Sequence, residues 1–282
     1  MSKPRKLFCE RNPLFFEISQ KKGILQRHLQ DCLRGGKLAK LRGAEALPYV
    51  IASRETHLIK RAPGVDLRLQ ENKAVNIRLA CEKLDGLLIR PGETFSFWRT
   101  IGKTTKRKGY LDGRVIEHGK LVPGTGGGLC NLGNTLHLLI LHSPLTVTEF
   151  HHHSDALAPD EGPRVPFSAG TSVCYNYIDY RFRNDTDRIF QLSFRVEGET
   201  LHAALRGDKP LDRRYELVEE DHHFQKEGER YYRVSKIYRV TADAETGRML
   251  EKELILDNHS EVMFDPALIP PELLRETEPV GG

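Results

Sequence analysis

With 282 residues, the chain can build one substantial core carrying extensions at both ends. Hydrophobic residues make up 39% and charged residues 29%, with no apolar run near the roughly 20 residues of a bilayer-spanning helix, which excludes a helical membrane protein and points to a soluble globular one. The 43 Lys and Arg against 39 Asp and Glu leave a net charge of only +4, spread along the whole chain, which argues against a nucleic-acid binder.

In chain order, Phe15, Ile18, Ile24, Leu25, Leu29 and Leu33 recur at loosely helical spacing until Gly35-Gly36, predicting an amphipathic helix over 15–33. The region up to residue 42 leans basic, with Lys21, Lys22, Arg27 and Arg34 on that helix; this reads as a solvated face, with weak contact to an anionic membrane surface as the alternative. Short strands are expected at 48–52 and 57–60, joined by a polar turn. A second helix is expected over 72–88, with Asn72 as its cap and Val75, Ile77, Leu79, Ala80 and Leu84 on its apolar face, ended by Pro91-Gly92. Residues 94–98 alternate aromatic and polar side chains, a half-buried strand whose aromatics belong in the core.

A strand over 109–116 precedes the segment 121–128, where four glycines and a proline in eight residues demand a tight, close-approach turn. Leu129, Leu132, Leu136, Leu139 and Ile140 then set a helical period that Ser143-Pro144 terminates. Strands are expected at 145–150, 171–183 and 189–196, the last two joined at Asn184-Asp185-Thr186-Asp187, and a hairpin at 230–240 and 248–256. The tail from Pro266, rich in Pro and Glu, is expected to be loose. The fold class is α+β: a mainly antiparallel sheet with a few helices, one of them central and following the Gly-rich turn. The division is a helical extension at 1–44, a domain at 45–210, and a C-terminal extension at 211–282 holding the hairpin and the tail.

The chemistry concentrates at Gly126-Gly127-Gly128-Leu129-Cys130. A glycine turn that delivers a cysteine onto the first turn of a helix sets its sulfur among unpaired N–H groups and partial positive charge, which favour a thiolate. The same amides can hold the oxyanion formed when sulfur attacks a carbonyl. A general base is available about twenty residues later in His151-His152-His153-Ser154, where alternation puts His151 and His153 on one face and His152 on the other; His153 is the favoured base. The bland counterparts are a buried small hydrophobe for the cysteine and a packing role for the glycines. Five cysteines without a CxxC pair indicate reduced thiols, not a disulfide frame or zinc cage, and no third ligand accompanies the histidines, so neither metal nor cofactor is expected. The turn lacks the Lys-Ser or Lys-Thr that completes a phosphate-cradling loop.

Arg90-Pro-Gly-Glu-Thr-Phe-Ser-Phe-Trp98, the Gly126 to Cys130 run and Asn184-Asp-Thr resemble the landmarks of VanW family proteins, a resemblance covering about residues 45–207. It implies a role in peptidoglycan metabolism or glycopeptide (vancomycin) resistance. Some members resemble L,D-transpeptidases in which the cysteine is the nucleophile, a part that falls here to Cys130. His153-Ser154 stands where the family shows a His-Ser pair, and Asp179 with Asn184 in its closing strand motif. Asn131 stands where Gln is usual and reaches one methylene less far towards a substrate. The basic start, Met1 to Cys9, is broken by Glu10, Arg11 and Asn12 before an export signal could form, so a cytoplasmic location is expected, peripheral to the membrane if the first helix docks there. The two readings are a cysteine acyltransferase acting on a peptide or peptidoglycan stem, and a non-catalytic module that holds a cell-wall fragment or a partner protein.

Overall fold

The computed structural model describes residues 13–61, 65–117, 120–152, 155–156, 159, 171–175 and 177–276. The chain runs through α1 (Pro13–Arg34), β1 (Tyr49–His57), α2 (Leu67–Leu84), β2 (Leu88–Ile89), β3 (Thr94–Ser96) and α3 (Phe97–Ile101). It continues with β4 (Asp112–Glu117), β5 (Lys120–Thr125), α4 (Leu129–Leu141), β6 (Thr146–Glu149), β7 (Asp155–Ala156) and β8 (Arg181–Arg183). The remaining strands are β9 (Phe190–Glu197), β10 (Thr200–Gly207), β11 (Arg213–Glu227), β12 (Arg230–Asp243), β13 (Met249–Val262) and β14 (Leu274–Glu276). The class is α+β with mainly antiparallel sheets, as the residue pattern indicates.

The core lies between the sheet of order β1-β10-β9-β2 and the helices α2 and α4. Phe190, Leu192 and Phe194 on β9 and Leu201, Ala203 and Leu205 on β10 are buried at every second position, the period of a sheet with one packed face. Ile77, Ala80 and Leu84 of α2 close over them. Helix α4 is enclosed on all sides, its polar Asn134, Thr135 and His137 being buried along with its leucines, so it is the central helix of the domain. Phe95, Phe97 and Trp98 are core residues, Phe95 stacking on Phe182 of β8 at 4.6 Å between centroids.

Several boundaries differ from the sequence reading. The two strands expected at 48–52 and 57–60 are one nine-residue strand, β1, because its polar middle pairs with β10. Helix α2 starts five residues earlier than expected, capped by Asp66, whose carboxylate accepts from Leu69 N at 3.3 Å; Asn72 instead donates to Asp112 O at 2.8 Å. The expected strand 94–98 turns into α3 at Phe97, with Ser96 Oγ accepting from Arg99 N. Of 171–183 only β8 is strand, since the chain folds back between Cys174 and Ile178.

At the C-terminal end, the expected hairpin is part of a longer antiparallel meander, β11-β12-β13. Of the stretch expected to be loose, residues 266–276 carry 3-10 turns at Pro266–Leu268 and Pro271–Leu273 and the strand β14, which pairs in parallel with β11; residues 277–282 lie outside the described residues. Leu138 and Leu141 of α4 pack on Ile237 of β12, and β7 pairs with β13, joining the meander to the domain.

Helix α1 is amphipathic in an inverted sense. Its polar face docks on the domain, through Arg27 to Glu149 at 2.5 and 2.6 Å and Asp31 to Arg181 at 2.7 and 3.0 Å. Leu14, Ile18, Leu25, Leu29 and Leu33 face outwards and are exposed. No helix among the described residues is long and apolar enough to cross a membrane.

Candidate functional site

The glycine turn is held by backbone contacts that no side chain would permit. A Cβ on Gly127 would lie 2.3 Å from the carbonyl carbon of Gly113 on β4, and one on Gly113 would lie 2.5 Å from Gly127 O. Gly126 and Gly128 have φ of 81° and 97°, the left-handed region that favours glycine. Asn76, fully buried on α2, locks this arrangement: its Nδ2 donates to Gly127 O at 3.0 Å and Leu111 O at 2.9 Å, and its Oδ1 accepts from Leu111 N at 2.8 Å. Sequence reading missed Asn76, although its place on the stripe shared with Ala80 and Leu84 marks a polar residue inside an apolar helix face.

The turn delivers Gly128 as the N-cap of α4, with no side-chain cap, and Cys130 into the first helical turn. Two of the amides expected to serve an oxyanion are already occupied, Gly126 N by Leu111 O and Gly127 N by Gly124 O, both at 2.9 Å. Gly126 and Gly127 therefore shape the turn, and among the described residues the amides of Gly128 and Leu129 have no carbonyl partner, while that of Cys130 faces its own sulfur. The half-buried Cys130 thiol contacts Val173 O at 3.8 Å. Burial pushes this thiol above its ordinary range, opposed by the backbone of Val173, so the cysteine rests protonated in spite of its helix-terminal position. Beside it, Asn131 Oδ1 is buried without a hydrogen-bond donor among the described residues, an acceptor that a ligand N–H can satisfy.

One face of α4 carries Cys130, Asn134 and His137 at helical spacing towards the segment 171–180. Thr171 Oγ1 donates to Asn134 Oδ1 at 2.9 Å, and His137 Nδ1 lies 3.2 Å from the Tyr180 hydroxyl. His137 stacks on Phe150 at 4.0 Å, and burial, with the nearby charge of His152, pushes it down to about 3, so it stays neutral. His152 pairs with Thr171 through a β-bridge and its ring lies by Phe150 and His137, on the α4 side. His151 points outwards to Glu149, with Nε2 to Oε1 at 3.1 Å. His153 and Ser154 lie outside the described residues.

Asp179 is fully buried and accepts from Ser96 Oγ, Trp98 N, Tyr180 N and Arg181 Nε at 2.6 to 3.1 Å, so it joins α3 and β3 to β8. Asn184 is likewise internal: Nδ2 reaches Ile89 O and Arg188 O, and Oδ1 accepts from Thr186 N and Oγ1, the Asx turn that the Asn-Asp-Thr sequence encodes. A hollow of about 670 Å³ opens at the other end of α4, lined by Tyr49, Leu138, His142, Leu211 and Tyr215. Cys130 is not part of it, and the chemistry of the glycine turn rather than this volume marks the functional candidate. Among the described residues no group of three His, Cys, Asp or Glu side chains is arranged to hold a metal ion.

An α+β domain whose buried central helix receives a cysteine from a triple-glycine turn is the class that fold and site define. Residues 72–206 match the family model described as VanW like protein, so this part of the chain is similar to that family. It is 29% identical over 260 residues to "Vancomycin B-type resistance protein VanW" of Enterococcus faecalis (strain ATCC 700802 / V583), covering 92% of this chain and 94% of that protein. It is 31% identical over 114 residues to "Uncharacterized protein YoaR" of Bacillus subtilis (strain 168), 40% of this chain and 36% of that one. No solved structure is significantly similar to the chain.

Proposed function

We propose that this protein acts in glycopeptide (vancomycin) resistance or cell-wall peptidoglycan metabolism as a cysteine-dependent acyl-transfer enzyme. The observation that carries the reading is the delivery of Cys130 by a backbone-locked glycine turn onto the N-terminus of α4, beside an Asn131 acceptor and the Gly128 and Leu129 amides, which have no partner among the described residues. Because the thiol rests protonated, a base must remove its proton as sulfur attacks the carbonyl carbon of a peptide amide. That base comes from the 151–153 histidine run, with His152 on the α4 side and His153 its neighbour. The imidazolium returns the proton to the departing amine as the C–N bond breaks, leaving an acyl-thioester on Cys130. Water or a second amine then takes the acyl group and restores the thiol.

Incubation with a synthetic peptidoglycan stem peptide, followed by intact-mass spectrometry, tests this. The expected result is a single acyl adduct on Cys130, absent from Cys130→Ala and slowed in either His152→Ala or His153→Ala. A Cys130→Ala protein that keeps the peptide bound while wild type forms no adduct overturns the enzyme and favours a non-catalytic holder of a cell-wall fragment. A second reading concerns location: the outward stripe Leu14, Ile18, Leu25, Leu29 and Leu33, accompanied by Lys21 and Lys22, suits an anionic bilayer surface. Wild type is expected to float with vesicles containing anionic lipid, and Leu25→Glu with Leu29→Glu to sediment; equal recovery dismisses it.

A further inference from the structure

The end of α4 remote from Cys130 forms the floor of the hollow of about 670 Å³, through Leu138, Leu139 and His142. That volume lies within the roughly 300–1,000 Å³ of ordinary ligand sites. Two walls of the hollow are strand edges. Every residue of 48–54 and of 213–216 lines it, whichever face of the strand its side chain takes, as an edge does and a single face does not. Strand β1 is outermost in its sheet and pairs with β10 on one side only. Over 213–216 β11 pairs with β12, and β14 reaches it only at 224–226, so its second edge is likewise unpaired among the described residues. Such an edge presents a row of backbone N–H and C=O groups that another extended backbone satisfies.

Register places a guanidinium on each wall. Arg54 stands directly opposite Ala203, which belongs to the core face of the sheet, so its side chain leaves β1 on the side of α4. On β11, Leu217 packs on the cluster of Leu138, Leu141 and Ile237, and alternation puts Tyr215 and Arg213 on the same, domain-facing side. Glu216, the acid among the lining residues, alternates to the opposite face. Among the described residues neither Arg54 nor Arg213 forms an ion pair or a side-chain hydrogen bond. Arg54 is half-buried, and burial lowers its pKa with no carboxylate to offset it. Leu138, Leu211, Tyr49 and Tyr215 add apolar surface to the same hollow.

We propose that this hollow binds an extended acidic segment of a partner protein, which adds to the free edge of β1 as a further strand and sets one carboxylate between Arg54 and Arg213. Side chains two residues before and after that acid point the same way as it does. Apolar residues there reach the leucines and tyrosines of the lining, so the pattern recognised is apolar-x-acidic-x-apolar. Backbone pairing supplies affinity, and the two guanidinium groups select the charge. The interaction is independent of the chemistry at Cys130, which stands at the other end of α4.

Calorimetry and hydrogen exchange on the full chain test this with three probes. The first is a terminally blocked heptapeptide with Glu at its centre, Val two residues to either side and Thr elsewhere; the second has Gln at the centre; the third is dodecanoate, a single-chain anionic amphiphile. The Glu peptide is expected to bind on the order of tenfold tighter than the Gln peptide, to weaken as salt is raised, and to slow amide exchange in β1. Arg54→Gln and Arg213→Gln are each expected to remove the preference for Glu. Arg213 is exposed, so its variant decides the matter even where Arg54→Gln loses stability. Equal affinity for the two peptides, a preference that survives in both variants, or protection gained elsewhere than at β1 overturns the proposal. Dodecanoate binding as tightly as the Glu peptide, with the same dependence on both arginines, also overturns it and assigns the hollow to an anionic amphiphile.

Discussion

At the residue scale the site depends on Asn76 more than on the glycines it holds. Its amide makes three hydrogen bonds to the backbone of the turn and of Leu111, the one to Gly127 buried and the two to Leu111 partly so. Asn76→Ala leaves the buried Gly127 carbonyl without this partner, an expected loss of about 1–3 kcal/mol, read from urea unfolding, and releases the turn, which on the proposed acyl-transfer reading slows acylation of Cys130. Gly127→Ala meets backbone, which cannot rotate away, and is expected to cost about 1–3 kcal/mol as an overpacked position. Cys130 itself carries a pH prediction. Its folded-state thiol is raised by burial, so alkylation is slow at neutral pH and climbs only as pH passes above the ordinary value of 9.0. Maximal alkylation at pH 7, followed by mass spectrometry of the Cys130 peptide, would instead mean a primed thiolate.

The elements around the cysteine are joined by charge. Arg181 on β8 binds Asp179 at 2.7 Å and Asp31 of α1 at 2.7 Å, and these side chains are almost wholly buried. Arg181→Met is expected to cost about 3–5 kcal/mol, since it strands Asp179 without its cation. The docking of α1 has its own pH signature. Burial would raise Asp31 and Glu149, but Arg181 in the first case and Arg27 in the second more than offset this and hold both below their ordinary 3.8 and 4.5. Carboxylates lowered in the folded state contribute stability that is full above those ordinary values and is lost as pH falls through the folded ones. Amide protection of α1 in hydrogen exchange is therefore expected to hold at pH 6 and to fade below about pH 4, before the protection of α4.

At the scale of the whole molecule, the meander β11-β12-β13 and the domain share an interface at the far end of α4 from Cys130. Ile237 is 2% exposed and covers Leu138 and Leu141. Ile237→Ala is expected to cost about 2 kcal/mol or more, read from thermal unfolding, with faster exchange at both β12 and the last turn of α4. A loss confined to β12 would mean that the meander is held by β7 alone.

Those same partners show what could be read without tertiary contacts. Helices α2 and α4, the glycine turn, the hairpin around Asp243 to Gly247 and the aromatics of β3 and α3 are legible in the residues, because apolar period, glycine and turn chemistry act over a few neighbours in the chain. Cys130 stands out for the same reason. What stayed hidden depends on residues far apart in sequence: Asn76 meeting Gly127, the stem of Lys73 lying across Gly128, and Arg181 joining α1 to β8. Likewise, local pattern assigned all the turn amides to an oxyanion, whereas Leu111 and Gly124 claim two of them. The order of residues determined where a nucleophile could stand; only packing decided which amides remain for it, how deeply its thiol is buried and which charges border it, since hydrogen bonding, desolvation and Coulomb forces act between whatever the fold brings together.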